Sequence, residues 1–198
     1  EDVAAIRPDI VFVHAAGYGS DGPYAGEPAY DDLIQSASGC ADILGRTDGN
    51  PTPRILPTLM ADKVSGLFVS QAITAALLHR ARTGEGQFVE VPMFECVTSF
   101  LLVEHLYDNT FQPPTGQWGY QRVINPNRKP FRTKDGWIGL LPYTDKQWDQ
   151  FFDAAGYGEQ VKNDPRFADY GTRAKHIQEL YGLIETAAAT KTTQEWLD

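Results

Sequence analysis

Asp62 lies in the stretch PTLMADKVSGLFVSQAI (Pro57 to Ile73), at the start of a long helical run with almost no charge. Two readings of this carboxylate begin from the same geometry. As a helix N-cap it accepts bonds from the free amides of Val64 or Ser65, a contribution of about 1 kcal/mol. As a reactive group it is held by helix N-terminal amides, which also stabilise an oxyanion forming on its own carbonyl. Ala61, Ser65 and Gly66 are small and leave room for a ligand beside it. Spacing alone leaves both readings open.

The other residues capable of chemistry are more scattered. GYGSDG places Gly17, Tyr18 and Gly19 in a loop after an apolar run, where glycine serves tight turning and close approach to a ligand. It lacks the spacing of a dinucleotide fingerprint. His14, His79, His105 and His176 fall on separate elements, and no Cys/His cluster with metal-ligand spacing exists. No metal is therefore expected. No serine occupies a nucleophile elbow, and no glycine-rich loop ends in Gly-Lys-Ser/Thr. NPNRKPFR is a short basic run, either a solvated loop or a receiver for an anionic ligand. Trp118, Trp137 and Trp148 either line a pocket or pack in cores, and core packing is the expectation.

These residues need elements to hold them. PDIVFVHAAGYGSDGP opens as a strand buried on both faces, with its loop at the carboxyl end. AYDDLIQSASG reads as a short helix stopped by Gly39, and RTDGNPTPR as turn chemistry throughout. A helix runs from about Asp62 to Arg82, with His79, Arg80 and Arg82 suited to its negative end. GQFVEVPM alternates as a strand, and Met93 to Tyr107 is again helical. Strand, helix, helix and strand predict an α/β domain over residues 1–108. Pro, Gly and Asn then mark residues 109–127 as a linker. PFRTKDGWIGLLPY predicts a hairpin turning at KDG, followed by short helices, so residues 128–198 form a smaller, incomplete α+β domain.

Composition narrows the function. The chain has 198 residues, 42% hydrophobic and 22% charged, enough for a sizeable core. Seventeen Lys and Arg against 26 Asp and Glu give a net charge of −9, which disfavours nucleic acid and anionic membranes as main partners. Cys40 and Cys96 form no motif, which fits a reduced, cytoplasmic setting. The acidic N-terminus lacks the layout of a signal peptide, and the window Val64 to Leu78 is too short and polar to span a bilayer. A chain that starts without Met and stops within a helical pattern is expected to be a fragment.

Several segments together resemble the family III CoA-transferases, the carnitine dehydratase/bile-acid-inducible family. They are RPDIVFVHAAGYGSDGPYA, YDDLIQSASG, ADKVSG, AALLHRARTGEGQFVEVPMFE and NRKPFRTKDGWIGLLPYTDKQW, and their order covers nearly the whole chain. The resemblance implies a Rossmann-like large domain, of which this is the central portion, then a linker and a smaller domain. It also implies a homodimer of two interlocked chains. Family members are about twice this length, with most CoA contacts expected before Glu1.

The resemblance makes the aspartate of ADKVSG, here Asp62, the catalytic carboxylate. It implies transfer of CoA from an acyl-CoA to a carboxylic acid acceptor through an aspartyl-CoA thioester. The CoA thioester is a substrate, and no permanently bound cofactor is implied. Racemases of the family place a histidine in the segment reading PAYDD here, where this chain has Tyr30. Tyrosine, with an ordinary pKa of about 10, is a poor proton shuttle at neutral pH. Formyl-CoA-type transferases carry a tyrosine there, beside the acyl site. Tyr30, Gly17, Tyr18 and Gly19 are therefore the implied substrate-binding residues, and transferase is favoured over racemase or epimerase. GQWGYQRVINPNRKP departs from formyl-CoA transferases in lacking a run of consecutive glycines, which argues against a formyl or oxalyl substrate. A CoA-binding or dimerisation module without turnover is the third alternative.

Overall fold

The computed structural model describes residues 2–198. They form two compact units: one comprises the chain to Gly45 and Asn50–Tyr120, the other Arg46–Gly49 and Gln121–Asp198. The fold is mixed α/β, with helices dominating.

In the first unit, helix α1 (Asp2–Ile6) leads into strand β1 (Val11–Ala16). Strand β2 (Gln87–Pro92) lies parallel to β1, with Val11 opposite Gln87 and Ala16 opposite Pro92. Pro92 has no amide to donate, so the ladder ends there and helix α5 (Met93–Leu106) begins. A parallel pair needs a long crossover. Helices α2 (Asp31–Ala37), α3 (Cys40–Asp48) and α4 (Met60–Thr83) supply it. A β-carbon on Gly86 would collide with the Ile10 carbonyl, so the entry to β2 requires glycine.

The expectation that β1 is buried on both faces needs correction. Its side chains alternate between partly buried and exposed, and Phe12 stacks on Phe88 at 5.7 Å with both rings open to solvent. β1 has one strand neighbour among the described residues, which is too little sheet to cover two faces.

α4 is the spine of this unit and packs on β1, β2, α2 and α5. It is Ala- and Leu-rich, and Gly84 ends it in the left-handed conformation (φ 79°), its N–H donating to the Arg80 carbonyl at 2.8 Å. The core beneath its first turns is Ile34, Ala61 and Val97, with Tyr18, Met60, Val64, Phe94 and Leu101 packed around them. RTDGN is not turn throughout, as the sequence suggested. Arg46, Thr47 and Asp48 complete the last turn of α3, and the reversal comes at Gly49 with φ 75°.

The second unit contains the hairpin of β3 (Phe131–Arg132) and β4 (Trp137–Ile138), antiparallel and turning over Thr133–Gly136. Five helices follow: α6 (Asp145–Ala155), α7 (Gly158–Lys162), α8 (Tyr170–Lys175), α9 (Ile177–Ala188) and α10 (Thr193–Leu197). Capping boxes start α6 (Thr144, Gln147), α8 (Asp169, Thr172) and α10 (Thr192, Glu195). Ile177, Leu180, Tyr181, Ile184 and Ala188 repeat along one face of α9 and meet Phe131, Trp148 and Phe152 in the core. Trp148 is a core residue as expected, but Trp118 and Trp137 are not. They remain 37% and 59% exposed, and the Arg132 guanidinium lies over the Trp137 ring. No helix among the described residues is long and apolar enough to cross a membrane.

Candidate active site

Asp62 is the third residue of α4, not its cap. Leu59 precedes the helix and contributes no side-chain cap bond. The cap reading is therefore corrected: the Asp62 side chain is exposed, and among the described residues no hydrogen bond or ion pair engages its carboxylate. The group that serves the helix start comes from another element. Oδ2 of Asp31, 31 residues earlier and 6% exposed, accepts the Asp62 N–H at 3.0 Å.

Asp31 opens α2, so its carboxylate faces the amide-rich ends of two helices. Its Oδ1 accepts from Gln35 Nε2 at 2.6 Å, one helical turn on. Gln35 is fully buried. Its Nε2 also donates to the Thr58 carbonyl at 3.2 Å, and its Oε1 accepts the Leu56 N–H at 2.9 Å. The pair thus fixes both α2 and the approach to α4. Burial of polar groups is tolerated here because each is bonded. Ser65 Oγ adds bonds to the carbonyls of Ala61 (2.9 Å) and Asp62 (3.1 Å).

Tyr30 immediately precedes Asp31 in extended backbone (φ −134°, ψ 159°) and is 69% exposed. Its hydroxyl has no hydrogen bond among the described residues. Through Asp31 the structure brings Tyr30 and Asp62 to one locality. Sequence reading missed Asp31 and Gln35. The available signal was an Asp–Gln pair at i, i+4 flanking Ile34 on the apolar face of a short helix.

The loop after β1 stands nearby. Gly17 lines a cavity of about 260 Å³ with Ala29, Ser65, Val69, Val91 and Met93, and its carbonyl accepts the Phe94 N–H at 3.0 Å. A β-carbon on Gly17 would collide with that of Ala29. Tyr18 turns inward, its ring 5.3 Å from Tyr24 and 5.7 Å from Phe94. Gly19 is buried and donates its N–H to Glu95 Oε1 at 3.0 Å. Ser20 donates both its N–H (3.2 Å) and its hydroxyl (2.9 Å) to Glu90 Oε2. These bonds hold the Glu90 carboxyl below the usual carboxylate range, with a smaller contribution from His14.

The remaining titratable groups have local roles. His105 Nδ1 lies 2.9 Å from the Leu101 carbonyl, and His176 pairs with Glu179. Cys40 and Cys96 are buried free thiols, pushed up first by burial and then by Asp31 and Glu95 respectively. No cluster of three or more His, Cys, Asp or Glu side chains suited to a metal occurs among the described residues.

The model of CoA-transferase family III matches residues 1–198. The chain belongs to that family. One family relative is the "Probable fatty acyl-CoA transferase" of Mycobacterium tuberculosis, 29% identical and aligned over 100% of this chain and 52% of its own length. The succinate–glutarate CoA-transferase of Agrobacterium fabrum is 30% identical, over 94% of this chain and 46% of its own. A crystal structure from M. tuberculosis, of the protein Rv3272, superposes with a TM-score of 0.78 at 28% identity, covering 99% of this chain and 51% of that one. The chain spans about half the length of the curated relatives it matches.

Proposed function

We propose that the complete protein moves CoA from an acyl-CoA to a carboxylic acid, with Asp62 as the nucleophile. The observation that carries this reading is the state of Asp62 in a chain of this family. Its carboxylate is exposed and uncommitted in the first turn of α4, while a different carboxylate serves the helix amide.

One Asp62 carboxylate oxygen attacks the thioester carbonyl of the donor, and the C–S bond breaks to release CoA thiolate and leave a mixed anhydride. The thiolate then attacks the aspartyl carbonyl, expelling the first acid as carboxylate and leaving an aspartyl-CoA thioester. The acceptor carboxylate attacks that thioester, thiolate leaves, and its return to the acyl carbonyl of the new anhydride frees Asp62. Splitting one difficult exchange into these steps is covalent catalysis. Thioester energy is conserved throughout, so no nucleotide hydrolysis is required. Amides at the start of α4 favour the negative charge developing beside Asp62.

Tyr30 and the loop of Gly17, Tyr18 and Gly19 border the acyl site in this reading. Gly17 supplies a side-chain-free wall to the cavity and Tyr18 braces the loop against Phe94. The CoA thioester is substrate rather than resident cofactor. The first unit is the central part of a Rossmann-like domain, residues 109–127 serve as the linker, and two chains interlock as a cytoplasmic homodimer. Tyr30, standing where a proton shuttle would need a histidine, sets the transferase reading above the racemase one.

The test is chemical. Incubation of the complete protein with an acyl-CoA donor, quenched in acid, should leave CoA on the peptide containing Asp62, and hydroxylamine should convert that side chain to a hydroxamate. Asp62→Asn and Asp62→Ala should both lose exchange almost completely. Because Asp62 is not the cap, each should cost less stability than the roughly 1 kcal/mol of a lost cap. Full activity in Asp62→Asn, with no reversion to aspartate by deamidation, would overturn the assignment.

A further inference from the structure

We infer that Asp31, locked by Gln35, is a positioning residue that keeps the start of α4 capped while Asp62 changes its charge; this rests on Asp62 as the nucleophile. Asp62 is anionic when free and neutral as an anhydride or thioester. A helix start capped by Asp62 itself would lose its cap in every turnover. Here that duty falls to a buried carboxylate already engaged by protein amides.

The geometry supports the division of labour. Asp31 Oδ2 takes the Asp62 N–H at 3.0 Å, and Oδ1 takes Gln35 Nε2 at 2.6 Å. No ion pair involves Asp31 among the described residues, so its charge is met by these amides and by two helix ends. Gln35 cannot rotate freely, because its other bonds to Thr58 and Leu56 require its present orientation. The Asp31 carboxylate is thereby aimed at the Asp62 backbone. Tyr30, one residue before Asp31, is held in register with the nucleophile by the same anchor. A displacement of about 1 Å at a reacting group can cost about 100-fold in rate.

The experiment uses the complete protein and four variants: Asp31→Ala, Asp31→Asn, Asp31→Asn with Gln35→Glu, and Asp62→Asn. Asp31→Asn keeps the shape but sets an amide against the Gln35 amide. In the double variant the amide introduced at position 31 donates to the new carboxylate at position 35 and its carbonyl accepts the Asp62 N–H, but the Thr58 carbonyl loses the donor that Gln35 Nε2 supplies. Expected for both single Asp31 variants is a fall in kcat of about 100-fold. KM for the acyl-CoA donor should stay within roughly threefold of wild type. Formation of the CoA adduct on the Asp62 peptide should slow in parallel, and the Asp62 amide should lose protection from hydrogen exchange. Recovery in the double variant is partial, because the Thr58 carbonyl is left without its donor.

Wild-type kcat in Asp31→Asn or Asp31→Ala overturns the inference. So does a loss confined to KM, or one in which the Asp62 amide keeps its protection from hydrogen exchange. If Asp31→Ala does not fold, kcat and the hydrogen-exchange protection of the Asp62 amide in Asp31→Asn decide. Asp62→Asn separates the two claims: inactive with Asp31 variants unaffected, only the positioning role fails; active at the wild-type rate, both fail.

Discussion

Tyr30 is largely exposed, and its hydroxyl is bonded to neither Asp31 nor Asp62. A side chain so placed shapes a pocket more readily than it polarises a carbonyl. Tyr30→Phe should therefore retain substantial exchange activity while changing the preference among acceptor acids, measured as kcat/KM over a panel of carboxylates. A loss approaching the roughly 100-fold of a removed oxyanion donor, with the fold intact, would assign the hydroxyl to the reacting carbonyl instead. The sequence singled out Asp62 as a candidate nucleophile, and the family resemblance added Tyr30 as a candidate substrate-binding residue, but neither showed what holds them. Asp62 stood out because an acid opening an apolar helix invites explanation. That it is not the cap was illegible, since the true partner of its N–H lies 31 residues away and only tertiary structure brings it there. Local pattern reports i, i+4 neighbours and caps, not a carboxylate borrowed from another helix.

Elements with a strong period or a sharp stop were easily read. β1, α4 and α5 follow from their apolar runs and β2 from its alternation, and Gly39 and Gly84 mark reversals with φ of 82° and 79°. All of α3 (Cys40–Asp48) was missed: the expected helix ended at Gly39, and Arg-Thr-Asp-Gly-Asn carries turn residues throughout, yet three of them stay helical until Gly49. The exposed rings of Trp118 and Trp137 were missed because residue type does not distinguish an aromatic in a core from one in a loop or a hairpin strand. The loop after β1 depends on acids of β2 and α5, which gives it a pH signature. Glu90 is held below the ordinary glutamate range, foremost by the Ser20 N–H. A depressed folded value contributes stability that is fully present above the unfolded value, near 4.3, and lost as pH falls through the lowered value. Wild type should therefore exceed Glu90→Gln in denaturant midpoint at neutral pH, and the gap should close on acidification below about pH 4. A gap unchanged down to about pH 3 would assign the difference to shape rather than charge.

The chain covers about half the length of its relatives, and its first unit carries large apolar side chains in the open. Phe88, Leu67, Leu78 and Val103 are 66%, 72%, 61% and 59% exposed, on β2, α4 and α5. Apolar surface on this scale is a site of association or an aggregation liability. In the proposed assembly it is covered by the rest of the large domain and by a second, interlocked chain. Chains threaded through one another cannot part without opening the linker between large and small domains, proposed above as residues 109–127. Dissociation should then be coupled to unfolding, as in obligate dimers whose monomers have no stable fold. The complete protein should sediment as a dimer down to nanomolar concentration, with loss of dimer, exchange activity and helical signal coinciding under denaturant. The 198-residue piece alone should bind a hydrophobic dye and self-associate. A folded monomer that still exchanges CoA after dilution would rule out interlocking and leave the exposed faces of α4 and α5 to be covered within a single chain.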